Sequence, residues 1–150
     1  MSPTRSSGMA VPSSIGSIWL PDLSSPEATV IKVIGTAYKR DDFTTQEFFD
    51  YWRDVHAPIS AKIGPMRGYV VSEVIRKVQG ELQAEAFIEQ WWDDLDAFEK
   101  AGETPEMEVA WADVSNYAKT TGTFWVTKEH VYIPPPIPRG GTLSRQAWLA

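Results

Sequence analysis

The chain has 150 residues, 43% of them apolar and 12% aromatic, enough for one domain with a core and too few for two comfortable ones. Fourteen basic against twenty acidic residues leave a net charge of −6, which argues against a general electrostatic hold on nucleic acid or an anionic membrane. The absence of cysteine excludes disulfides, thiolate metal sites and cysteine nucleophiles, and the only two histidines, His56 and His130, cannot form a three-histidine metal site in one chain.

Residues 1–28 hold eight serines and four prolines without sustained periodicity, and residues 134–150 begin Pro134-Pro135-Pro136-Ile137-Pro138. Because eight of the eleven prolines lie in these two stretches, residues 29–133 are expected to fold as one core with an arm at each end. Ile15, Ile18, Trp19 and Leu20 in the first arm, and Leu143 and Trp148 in the second, need somewhere to bury. The C-terminal arm is expected to run as polyproline across a partner subunit. No run approaches the roughly 18 apolar residues of a membrane helix, and no signal peptide stands out, so the expected location is cytoplasmic.

Val30 to Tyr38 is β-branched and bounded by charge, which predicts a strand. Thr44 with Glu47 three residues on is a capping box, and the helix it opens is expected to stop at His56, because Pro58 disfavours helical geometry at Ala57. Gly68 to Ile75 and Ala84 to Trp92 predict two more strands. Asp93-Asp94 opens a helix to about Ala101, and Pro105 opens another to about Ala118. Phe124 to Ile133 predicts the last strand. The order βαββαβ describes a ferredoxin-like α+β sandwich.

On the first helix Phe48, Phe49, Trp52, Val55 and His56 recur at spacings of three and four, so they share the face that packs on the sheet. An imidazole there can serve as general acid or base, the alternative being a cap on the last carbonyls of its helix. Tyr69 and His130 are the candidate second donors. Phe48, Phe49, Trp52, Trp92 and Tyr38 are candidates for the wall of an aromatic pocket, although such residues serve equally as core. Asp113 is expected at an exposed position among Met107, Ala110, Trp111 and Val114. Asp93, Asp94 and Asp96 read as a solvated helix start rather than a metal site. No nucleotide or metal motif is present, so no cofactor is expected.

The stretch Tyr51-Trp52 followed by Val55-His56-Ala57-Pro58, with Phe48 before it and Gly68-Tyr69 after it, resembles the EthD family of dimeric α+β-barrel proteins. Supporting echoes are Trp91-Trp92-Asp93, Asp113 and Lys128-Glu129-His130-Val131. The resemblance spans about 29–133 and neither arm. It implies a homodimer whose sheets face each other, a small-molecule pocket between sheet and helices, and a functional histidine at His56. It also implies enzymes acting on aromatic polyketides or xenobiotics. The leading expectation is therefore a cofactor-free lyase, cyclase or decarboxylase on a small aromatic or polyketide-like compound. The alternatives are a cofactor-free oxygenase, a non-catalytic ligand carrier, and haem binding with His130 as axial ligand.

A bare sheet face supports the homodimer independently. Ile31 and Val33 lie on one parity of the first strand and Val30 and Ile34 on the other, the pattern of a strand covered on both sides. One chain has helices for one side only.

Overall fold

The alternation of Ile31 and Val33 with the less buried Lys32 and Ile34 gives β1 (Ile31–Ala37) a face in the core. The structure is a computed structural model that describes residues 30–136. Around β1 the chain builds α1 (Thr45–Tyr51), a π-helical turn (Trp52–His56), α2 (Ala57–Ser60), β2 (Met66–Glu73), β3 (Ala86–Trp92), α3 (Leu95–Ala101), α4 (Pro105–Val114) and β4 (Phe124–Thr127). The strands form one antiparallel sheet in the order β2-β3-β1-β4. This is the ferredoxin-like α+β fold, with the helices on one face.

Antiparallel partners share a face, so the register assigns the rows. Ile31 opposite Trp92, and Gly35 opposite Ile88 and Phe124, belong to the helix side. The Phe124 ring lies on Gly35, where a Cβ would fall 2.4 Å from it. The other face carries Ile34, Glu89, Val70 and Trp125 in one row, then Lys32, Trp91 and Thr127 in the next. Val70 and Trp125 are about half exposed there, at 44% and 47%. Lys32 pairs with Glu89 and lies 4.7 Å over the Trp91 ring.

The capping box at Thr44 forms in both directions: Glu47 N–H donates to the Thr44 hydroxyl at 3.2 Å and Thr44 N–H donates to the Glu47 carboxylate at 2.8 Å. The helix does not stop at His56. It passes through the π turn, in which Ala57 N–H donates to the Trp52 carbonyl, and continues to Ser60. The wider turn relieves the clash a proline ring makes with the carbonyl four residues before it, and Pro58 sits at the start of α2, where a missing N–H costs least.

Other boundaries differ from expectation: β2 runs Met66–Glu73 rather than Gly68 to Ile75, and β3 begins at Ala86 rather than Ala84. The helix expected to reach Ala118 ends at Val114, and the last strand ends at Thr127 rather than Ile133. Val131, Tyr132 and Ile133 are exposed, because β1 pairs with β4 only from Lys32 to Gly35 and offers no ladder further on. Asp94, Asp96 and Asp93 behave as a helix start: Asp94 accepts from Ala97 N–H, Asp96 pairs with Lys100, and Asp93 pairs with Arg67. The N-terminal arm and the expected clasp by Leu143 and Trp148 lie outside the described residues.

Candidate active site

The π turn decides which side chains meet. A regular α-helix superposes residues three and four apart, whereas the i→i+5 turn brings residues five apart into line. Tyr51 and His56 therefore point the same way, and both reach Asp113 of α4. His56 Nδ1 lies 2.9 Å from one Asp113 oxygen, and the Tyr51 hydroxyl donates to the other at 2.7 Å. Asn116 donates to that second oxygen at 3.0 Å. The same shift turns Val55 outward, to 37% exposure, against the expectation that it shares the inner face.

Asp113 is buried, not exposed as expected. It follows Met107 and Ala110 at intervals of three, and those three are the residues α4 buries, while Trp111 stays outside. Burial works against the Asp113 charge, but hydrogen bonds from Asn116, Tyr51 and His56 outweigh it and hold its pKa below the usual range. His56 is shifted downward: burial disfavours the imidazolium more than the Asp113 hydrogen bond and charge favour it. The pair is thus a carboxylate with a neutral imidazole. A carboxylate only accepts, so Nδ1 carries the proton and Nε2 is a free base.

That base faces further hydroxyls. Ser60, one turn on, lies 3.3 Å from His56 Nε2. Tyr69 on β2 accepts from Trp52 Nε1 at 2.8 Å. Burial pushes the Tyr69 hydroxyl up to about 12 against the opposing donors Trp52 and Ser60, so it stays protonated at neutral pH. These groups border a cavity of about 320 Å³ between the sheet and the helices. Trp52, His56, Ser60 and Tyr69 form one side, Tyr117 and Phe124 another, and Val33 and Ile88 the sheet floor. The Tyr117 ring packs 4.9 Å from the imidazole and stacks on Tyr51 at 5.1 Å. An apolar, flat-walled space with a few converging polar groups suits a small aromatic molecule.

Of the residues singled out in the sequence, the structure brings His56, Tyr69 and Trp52 together at this cavity. Phe48 is not in its wall; its ring is fully buried against Phe49, Trp52 and Tyr117 as core. Phe49 borders a second groove outside, of about 600 Å³, which Trp52 and Tyr69 also touch. Trp92 is fully buried behind Phe98, a cavity residue, and is not itself in the cavity wall. Tyr38 lies just past the end of β1 and is not in the cavity wall. His130 is exposed and lies past the end of β4, so it does not face the cavity, and the haem alternative has no support from the cavity's geometry. Sequence reasoning missed Ser60, Tyr117, Asn116 and the inward role of Tyr51. The spacing Met107, Ala110, Asp113, Tyr117 was the available signal for α4 and its extension. Among the described residues no group of three or more acidic or histidine side chains could hold a metal ion. No described helix is long and apolar enough to cross a membrane.

A ferredoxin-like sheet with a buried histidine–aspartate pair at a cavity beneath its helices defines the class: an α+β sandwich with an internal cavity that carries a polar pair. The chain belongs to the EthD family, whose domain matches residues 40–121 and so contains His56, Ser60, Tyr69 and Asp113. Similar solved structures include an ethyl tert-butyl ether D (EthD) family protein from Bacillus halodurans, 24% identical over 67% of this chain and 99% of that one, TM-score 0.58. A dimeric protein of ferredoxin-like fold from Bacteroides fragilis is 16% identical over 67% and 97%, TM-score 0.52. SnoaB, a cofactor-independent oxygenase from Streptomyces nogalater, is 12% identical over 71% and 99%, TM-score 0.51. No curated protein matches the chain significantly.

Proposed function

We propose that this protein is an enzyme that moves protons on a small aromatic or polyketide-like compound without a cofactor, in a lyase, cyclase or decarboxylase-type reaction. The observation that carries this reading is the neutral His56, anchored through Nδ1 by Asp113 and presenting the Nε2 lone pair on the side of the cavity where Ser60 and Tyr69 sit. Such a base removes a proton next to a carbonyl or from a phenol, and the protonated Tyr69 supports the oxygen on which charge develops. The aromatic walls hold a flat substrate. Oxygenation on the same scaffold is the second reading, supported by the fold shared with the S. nogalater oxygenase. The carbanion made by the same base is the species that oxygen would attack.

Aryl β-ketones incubated with the protein in deuterated water test the proposal. The wild type is expected to exchange the acidic carbon-bound hydrogens, and His56→Gln to lose about 10²–10⁴ of that rate. Oxygen uptake during the reaction selects the second reading. Saturable binding without exchange overturns both and leaves a ligand carrier.

We also propose that two copies pair through the open sheet face. The half-exposed Val70 and Trp125 support this, as does the dimeric state of the B. fragilis relative.

A further inference from the structure

Ala86, Ile88, Gln90 and Trp92 alternate onto the helix side of β3, and Gln90 is the polar member of that row. The register sets Gln90 between Val33 and Tyr69, and paired residues share a face. All three line the cavity, so the Gln90 carboxamide rises from its floor. Polar groups nearby have partners. Thr36 Oγ1 accepts from Thr123 N–H at 3.1 Å, Trp52 Nε1 donates to Tyr69, and His56 meets both Asp113 and Ser60. Among the described residues nothing hydrogen-bonds the Gln90 carboxamide or the Tyr117 hydroxyl. Neither is sealed in packing, since the sealed and unbonded side-chain atom among those residues is Trp92 Nε1. Both residues border the cavity, which is therefore the space their polar atoms meet. A ligand that fills the cavity takes solvent from both groups and must supply the bonds itself.

Resting on the reading of His56 as the base, we propose that Gln90 is a specificity-determining residue and that the substrate is an uncharged aryl ketone with a second oxygen, which the Gln90 carboxamide holds at the sheet. Two unbonded polar groups in one cavity call for a ligand with two polar atoms. The Tyr117 ring packs 4.9 Å from the imidazole, so its hydroxyl serves the ketone whose neighbouring carbon meets His56. Gln90 stands on the sheet floor, across from the helical turn that carries His56, and serves an oxygen on the ring. A carboxamide both donates and accepts, so a ring hydroxyl and a ring carbonyl suit it equally. Charge narrows the class further. The acidic and basic residues of the described wall, Glu99 and Lys119, are exposed, and Lys119 is paired with Asp41 at 2.7 Å. A carboxylate ligand would lose its hydration without a free cation to replace it.

The probes are acetophenone, its three ring-hydroxylated isomers and 4-acetylbenzoate, with binding to the full-length protein measured by equilibrium dialysis. The wild type is expected to bind its best hydroxyacetophenone about 5–100-fold tighter than acetophenone, and 4-acetylbenzoate more weakly than either. Gln90→Leu is expected to bring the hydroxylated ligand down to the affinity of acetophenone. Tyr117→Phe is expected to weaken both ketones alike and keep their ratio. A wild type without the preference, or Gln90→Leu with the preference intact, overturns the role of Gln90. Tighter binding of 4-acetylbenzoate overturns the uncharged class. Hydrogen exchange at the acetyl methyl group in deuterated water reports the base separately. Exchange without the preference leaves His56 standing and removes Gln90, whereas the preference without exchange sinks the base reading and leaves Gln90 selecting a carried ligand. Failure of every ketone to bind overturns both. Should Gln90→Leu fail to fold, by far-UV circular dichroism, Gln90→Met carries the same decision.

Discussion

At the scale of single residues, the chemistry depends on a charge that is held and a charge that is avoided. Asp113 keeps its proton off because three donors converge on it, and this fixes which nitrogen of His56 is free. Asp113→Asn replaces an acceptor with a group that can also donate, so the imidazole loses its tautomer lock. The hydrogen-exchange rate is expected to fall about 10²–10⁴, with Asp113→Asn and His56→Gln together no worse than His56→Gln alone. Stability carries the same signature. The folded His56 pKa lies below its ordinary 6.5, so in acid the unfolded chain takes the proton first. Stability is therefore expected to fall as pH drops from about 6.5 toward the folded pKa. Asp113 acts lower down, since its stabilisation is present above its ordinary 3.8 and is lost as pH falls through the depressed folded value. Urea midpoints measured across pH in wild type and His56→Gln separate the two, because the variant keeps only the acid-limb loss.

At the scale of elements, the run from α1 through the π turn to α2 is the device that assembles the site. Its start was legible, because Thr44 and Glu47 form a local motif whose partners are three residues apart. Thr44→Ala is expected to cost about 1 kcal/mol by chemical denaturation. Its end was not legible. Pro58 stops a helix of regular pitch, and nothing in the neighbouring residues announced that the turn would widen. The widening then changed the face: Tyr51 came in, Val55 went out, and Ser60 joined as part of a turn read as lying beyond the helix. On the sheet, β1 meets β4 through Gly35 beneath the Phe124 ring. Gly35→Ala is expected to destabilise by about 1–3 kcal/mol, the usual cost of overpacking, since its Cβ would meet that ring at 2.4 Å.

At the scale of the whole molecule, helices cover one face of the sheet and leave Val70, Trp125 and Ile34 on the other. The proposed dimer buries them. Light scattering is expected to give twice the mass of one chain for the wild type. Trp125→Asp with Val70→Asp is expected to give the mass of one, with the circular dichroism retained, because two desolvated carboxylates would oppose association. The order of elements, their ferredoxin-like arrangement, the inner position of His56 and the membership of its motif in a family were all readable from the chain. Periodicity, caps and the Tyr-Trp-x-x-x-His-Ala-Pro stretch are local, and local patterns survive without coordinates. The partners of His56 were not readable, because Ser60 meets it from beyond the expected helix end and Asp113 from a distant helix. Asp113 looked exposed by its charge, and only the packing of α4 against the π turn supplies the three donors that make burying that charge tolerable. Alternation alone did not say which face His130 takes, because neither parity of its stretch is cleanly apolar, and only the β1·β4 ladder shows that the strand ends at Thr127.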